Sequence, residues 1–354
     1  DIATIGNNEG MTISHEALQN LYTEANFKVI CANVFDEKGQ LPNHITSSYI
    51  KEIEESRILF VAATAPFTPF YRALDWVVTD PLAAIKDEIE AHEGQFDVLI
   101  VMSHVGVFFD EKLCQEIPEI DVIFGSHTHH YFENGELNNG VLMAAAGKYG
   151  HFLGEVNLTI EHGRVTDKKA KLHPLDALPQ VETHFDEEGK ALLSEPVIDH
   201  HVKLQKKTDV ITETSYLLAE SVYEFTHADC ALVNAGLIVN SIEADEVTEY
   251  DIHRMLPHPI NLVRVRLTGE ELIRVIKKSQ EQEYMHEHAQ GLGFRGDIFG
   301  GYILYNLGFI ESENRYFING EEIQTDRQYT LGTVDMYTFG RYFPILKGLP
   351  TDYI

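Results

Sequence analysis

Apolar residues in the first half of the chain fall in short runs separated by amphipathic stretches. "KVICANVF" (28–35), "RILFVAAT" (57–64), "FDVLIVMSH" (96–104), "IDVIFGSH" (120–127) and "GVLMAAAG" (140–147) predict strands buried on both faces. Residues 1–5 alternate and then turn apolar, so they predict another strand, with Gly6, Asn7 and Asn8 in the loop beyond it. Between the runs, "DPLAAIKDEIEAH" predicts a helix: Asp80 suits the N-cap, Pro81 the first helical position, and Leu82, Ile85 and Ile89 share one face. "LGEVNLTIEHGRVTDKK" (153–169) alternates around His162-Gly163 and predicts a hairpin. Buried strands linked by helices define an α/β layered domain.

From about residue 176 to 200 the periodicity fades into prolines and charges, which predicts an interdomain connection. The division expected is 1–180 for a first domain, 181–204 for a connector and 205–354 for a second domain. "TGEELIRVIKKS" is the clearest helix of the second half, with Thr268 as cap, Glu271 closing a capping box, and Leu272, Val275 and Ile276 facing a core. "GLGFRGDIFGGY" (291–302) predicts a glycine-rich loop.

The 354-residue length agrees with about two domains. A formal charge of −29 would repel a nucleic-acid backbone, so a nucleic-acid polymer is excluded as partner. A small anion is still admissible where metals invert the local sign. Cys31, Cys114 and Cys230 are odd in number and far apart, which excludes a disulfide scaffold and a cysteine zinc knuckle. The longest apolar stretch, around 96–109, is interrupted by Ser103 and His104, so no membrane span is expected. Few cysteines and no visible leader point to the cytoplasm, and oligomeric state is not legible.

Three polar groups follow predicted strands: Asn7, His104 in "MSHVG", and His127 with His129 in "GSHTHH". Ligands of open α/β sheets bind beyond the carboxyl ends of strands. His104 precedes His127 by one strand–helix–strand unit. Imidazoles with an amide oxygen and no thiolate suit Mn, Fe, Co or Zn. A lone buried, hydrogen-bonded histidine would need no metal; three at strand ends form a pattern that does not reduce to that.

"GNNEG" followed by "DVLIVMSHVGVFFDEKLCQEIPEIDVIFGSHTHH" resembles the calcineurin-like metallophosphoesterases, in particular their 5′-nucleotidase branch. "NAGLIVNSIEADEVTEYDIHRMLPHPINLVRVRLTGEELIRVI" (234–276) and "GGYILYNLG" (300–308) resemble that branch's C-terminal substrate domain, so the resemblance spans nearly the whole chain. It implies a four-layer αββα sandwich with a second α/β domain, two divalent metal ions that activate water and clamp a phosphate ester, and a nucleotide as the small-molecule substrate. It implies Asn7, His104 and His127 as ligands of one metal and His129 as a ligand of the other. The family's upstream Asp-x-His and Gly-Asp-x-x-Asp motifs do not precede Asp1, so the chain resembles a member lacking its first two strands, with an incomplete metal pair expected.

The resemblance also exposes departures. The family loop carries His and, three residues on, Asp; here Asn8 and Met11 stand there. Asn8 donates a hydrogen bond but transfers no proton; His15 is the candidate replacement acid and His130 another. Implied substrate contacts are Asn234 and Gly236, while Val239 replaces an expected Arg and Pro259 an expected aromatic. Tyr302 and Tyr337 offer stacking faces; Arg295 and Arg341 offer anion contacts. "DHH" (199–201) and the histidines of "MHEH" (285–288) read as solvated segments rather than metal sites. Two alternatives stay open: a 2′,3′-cyclic-nucleotide phosphodiesterase, whose strained ester needs less acid assistance, and a binding protein of the same fold that has lost catalysis.

Overall fold

The strands predicted from the apolar runs assemble into a six-stranded sheet in the order Glu136–Asn138, Val141–Ala144, Val122–Gly125, Val98–His104, Ser56–Thr64, Ser48–Ile53. Its four central strands are parallel and the two outer ones antiparallel, so Thr64, His104, Gly125 and Ala144 end on one edge. The computed structural model describes residues 1–177, 183–281, 283–288 and 293–354.

Alternation along the strands gives the sheet two apolar faces. Leu59, Val61, Leu99, Val101 and Ile123 pack on Ala84 and Ile85 of the helix Pro81–Ala91 and on Leu113 and Cys114 of the helix Val107–Glu116. The opposite face, with Ile58, Val98, Ile100, Val122 and Leu142, is covered by Val156, Leu158, Ile160, Val165 and Ala170 of the hairpin Phe152–Glu161/Arg164–Pro174. Asp80 caps the first helix as predicted, its side chain accepting from Ala83 N at 2.8 Å. The hairpin turns at His162-Gly163, both with positive φ (54° and 69°), as a tight turn between right-twisted strands requires.

A three-stranded parallel sheet, Ile2–Thr4, Lys28–Ile30 and Ile45–Thr46, carries the opening loop. Ile5 and Val29 pack there with Leu18 of the helix His15–Asn20 and with Tyr71 and Trp76. The run 28–35, read as one strand, is two: Lys28–Ile30 and Val34–Asp36 belong to different sheets. The break is made by buried Asn33, whose amide accepts from Thr64 N (2.9 Å) and donates to Thr64 O (2.8 Å) and Thr79 O (3.2 Å). A side chain that replaces ladder bonds in this way ends the strand.

The chain divides into two compact units, Asp1–Val181 and Glu182–Ile354. The segment expected as a connector carries the helix Phe185–Leu192 and the strands Pro196–Ile198 and Val202–Leu204, which pair with Val247–Thr248 and Ile242–Ala244 of the second unit. The expected boundary at 180 lies outside the described residues. In the second unit, a five-stranded mixed sheet runs in the order Tyr302–Tyr305, Cys230–Asn234, Gln328–Val334, Leu262–Thr268, Thr351–Tyr353. The helix Gly269–Gln280 packs Leu272, Val275 and Ile276 into that unit's core, and its Thr268–Glu271 capping box forms as predicted. Residues 291 and 292 of the predicted glycine-rich loop lie outside the described residues. Among the described residues no helix is long and apolar enough to cross a membrane.

Candidate metal centre

Three donor atoms converge at the carboxyl ends of strands in the first unit. Asn7 Oδ1 lies 2.8 Å from His104 Nε2 and 3.0 Å from His127 Nδ1. Asn7 is buried in the loop after the strand Ile2–Thr4; its own Nδ2 donates to Asn8 Oδ1 at 3.3 Å, which turns the amide oxygen toward the two imidazoles. Gly6 allows this approach: a Cβ there would stand 2.9 Å from His104 Cε1. The rings of His104 and His127 meet edge to face at 5.2 Å, and Phe67 covers His127 at 5.7 Å.

His104 is held from its other nitrogen. Nδ1 lies 2.8 Å from Ser126 Oγ, and Ser126 Oγ lies 3.1 Å from Ser103 O, so an Nδ1–H can donate to the serine and the serine hydroxyl to the carbonyl. In that tautomer Nε2 is a lone pair aimed at Asn7 Oδ1; in the other, Nε2–H donates to Asn7 Oδ1. Burial first, and then the neighbouring charges of His127 and His129, push the His104 pKa from 6.5 down to about 4. Burial followed by His129 lowers that of His127 as well. Both rings are therefore neutral near pH 7, with lone pairs available.

Two imidazole nitrogens and an amide oxygen at this separation fit a divalent cation of the Mn, Fe, Co or Zn class. With Nδ1 carrying the proton toward Ser126, Nε2 and Oδ1 are both electron-pair donors, an arrangement that a cation between them would satisfy. The site has three donors, one of them an amide; among the described residues no three His, Cys, Asp or Glu side chains form such a group. His129, with φ of 53° and its N bonded to Ser126 O at 2.7 Å, stands near enough to influence both rings electrostatically.

The catalytic candidates separate. Asn8 is exposed beside Asn7 at the start of the helix Glu9–Thr12. His15 is not brought to the cluster: its ring stacks on Trp76 at 3.9 Å, and its nitrogens face Leu74 O and Gln19. His130 turns its Nδ1 to Thr128 Oγ1 at 2.9 Å.

In the second unit, Asn234 is fully buried, donating to Phe299 O and accepting from Tyr337 OH at 2.7 Å. Tyr337 is equally buried, and Tyr302 packs edge-on to Phe343 at 5.1 Å with its hydroxyl buried and unpartnered. Gly236 lies under a neighbouring segment, where a Cβ would meet Ile298 O at 2.1 Å. Asn234, Gly236, Tyr302 and Tyr337 thus form one packed group. Arg295 is exposed, its backbone N–H donating to His258 Nδ1 at 2.9 Å, and Arg341 is ion-paired with Glu287. In the "DHH" and "MHEH" segments, His201 and His288 are exposed and paired with carboxylates, His201 with Asp245 and His288 with Asp297.

Sequence reasoning missed Ser126, Glu9 and Asp110. Ser126 stood visibly between Gly125 and His127. Glu9, whose Oε2 is buried without a partner, and Asp110, buried behind the strand ends, gave no periodic signal because their significance is three-dimensional.

Comparison with known proteins agrees with this architecture. The family described as "5′-nucleotidase, C-terminal domain" matches residues 197–347. The uncharacterized metallophosphoesterase YunD of Bacillus subtilis (strain 168) is 37% identical over 369 residues, covering 98% of this chain and 79% of YunD. A 5′-nucleotidase of Vibrio vulnificus is 22% identical over 395 residues, covering 92% of this chain and 69% of the relative. A Staphylococcus aureus structure assigned as a 5′-nucleotidase, in complex with alpha-ketoglutarate, superimposes with a TM-score of 0.73 at 15% identity, over 100% of this chain and 78% of that one. The fold and the relatives place the chain among two-domain α/β hydrolases of the metallophosphoesterase class. The chain belongs to the 5′-nucleotidase family of metallophosphoesterases, whose members generally use divalent metals.

Proposed function

We propose that the protein is a metal-dependent phosphoesterase that hydrolyses a small phosphate ester, with a nucleotide as the substrate class. The observation that carries this reading is the convergence of Asn7 Oδ1, His104 Nε2 and His127 Nδ1 at the strand ends. Asn7, His104 and His127 would hold one divalent ion, and His129 would serve a second. Such ions supply Lewis-acid charge to the phosphate and lower the pKa of water. The chain's own residues do the rest. Ser126, bonded to Ser103 O, holds the His104 ring at Nδ1, Phe67 shields His127, and the exposed Asn8 amide donates to a phosphate oxygen without transferring a proton. The nucleotide assignment is supported by the 5′-nucleotidase relatives.

Asn8 in place of a proton donor favours esters with good leaving groups, which keeps a 2′,3′-cyclic nucleotide as the second reading. Phosphate release from nucleoside 5′-monophosphates, 2′,3′-cyclic nucleotides and aryl phosphates, with Mn²⁺ and with chelator, tests the proposal. Turnover that depends on Mn²⁺ and falls about 10²-fold or more in His104→Ala is expected. Equal turnover with chelator, or in His104→Ala, would refute it.

A further inference from the structure

Helix Val107–Glu116 follows directly on His104, and its first turns bury a carboxylate. Asp110 is 3% exposed, its Oδ1 has no hydrogen-bond partner, and its carboxyl lies near enough to the Ser103 side chain for Ser103 to favour the ionised form. Oδ2 occupies the place of a missing side chain: a Cβ built on Gly125 would lie 2.6 Å from it. Burying a half-satisfied carboxyl is costly, and such a group calls for a reason beyond packing. Leu113 and Cys114 already anchor this helix on the sheet, so the core does not need Asp110.

The two residues it touches locate that reason. Ser103 immediately precedes His104, and Gly125 immediately precedes Ser126, the hydroxyl that holds His104 Nδ1. The strands meet there: Ser103 pairs with Gly125 in register, and Ser126 N donates to Ser103 O at 3.1 Å. Asp110 therefore sits against both strand ends at the level where they deliver the two histidines. We propose that Asp110 is a positioning residue for the metal centre, its carboxyl wedged between Ser103 and Gly125 so that His104, Ser126 and His127 keep their mutual placement. The raised pKa of Asp110, about 7 and caused chiefly by burial, agrees with a group whose shape matters more than its charge.

The proposal rests on the metal reading above, and the test separates the two. Asp110→Ala, Asp110→Asn, Gly125→Ala and the Ala/Ala double variant are compared by titration with Mn²⁺ alone. A second readout needs no metal: the ¹⁵N shifts of the His104 ring, which report its tautomer. Asp110→Ala is expected to weaken Mn²⁺ binding about 10–100-fold and to mix the His104 tautomers. Asp110→Asn, which retains shape and the Ser103 contact, should stay within a few-fold of wild type. Gly125→Ala should cost about as much as Asp110→Ala alone, yet little on top of it, because the added methyl then enters vacated space. Folded Asp110→Ala with unchanged tautomer and unchanged Mn²⁺ affinity would overturn the proposal. So would additive effects of the two alanines, or an Asp110→Asn as impaired as Asp110→Ala. If the wild type itself binds no Mn²⁺, the metal reading fails, and the tautomer measurement alone decides whether Asp110 positions His104.

Discussion

At the scale of single residues, the loop Gly6–Asn7–Asn8 divides its work. Asn7 turns an oxygen inward to the histidines, while Asn8 faces solvent. Asn8→His should raise turnover of alkyl phosphates, whose alkoxide leaves poorly without a proton, on the order of 10²-fold, and change aryl phosphates far less. An unchanged alkyl-to-aryl ratio would remove leaving-group protonation from this loop. Adding an orienting carboxylate at position 11 is a poor companion change, because Met11 packs against the cluster of Ile5, Tyr71 and Trp76. Asp110 makes a second residue-scale prediction. The folded carboxyl keeps its proton up to about pH 7, whereas the unfolded one releases it near 3.8. The folded state then binds more protons in that window, so the group's contribution to stability falls as pH rises through it. Asp110→Asn should gain on wild type in urea midpoint progressively from about pH 4 to 7 and hold that gain at pH 8. His104 has the opposite sign, its contribution being complete above 6.5 and lost as pH falls toward about 4.

Among the secondary-structure elements, those with local signals were legible and those decided at a distance were not. The helices Pro81–Ala91 and Gly269–Gln280 and the His162-Gly163 hairpin follow from caps, periodicity and turn chemistry within a few residues. The run 28–35 misled because the partners of Asn33 lie 31 and 46 residues away. The 181–204 segment misled because its short strands find their partners 38 to 52 residues later, at 242–248. In the site, the strand ends and their histidines could be read from sequence, but the inward turn of Glu9 and Asp110 could not. These origins differ in cost. Thr268→Ala removes one cap and should lower stability by about 1 kcal/mol. Asn33→Ala leaves Thr64 N, Thr64 O and Thr79 O without their buried partner, at about 1–3 kcal/mol for each group left unsatisfied. Urea unfolding of both variants should therefore rank Asn33→Ala as clearly the worse; equal losses would mean that the Asn33 bonds are replaced by water.

On the scale of the whole molecule, each unit has its own sheet and core, and Asn7, His104 and His127 lie in the first unit. The formal charge of −29 attracts divalent cations to many places on the surface. A count of bound metal therefore discriminates poorly, and the position of the ion is what matters. The most direct test is a crystal grown with Mn²⁺ and measured for anomalous scattering at the manganese edge. A peak touching Asn7 Oδ1, His104 Nε2 and His127 Nδ1 together, at roughly 2.0–2.3 Å from each, is expected, and its loss in His104→Ala. An ion found only elsewhere on a catalytically active protein would contradict it.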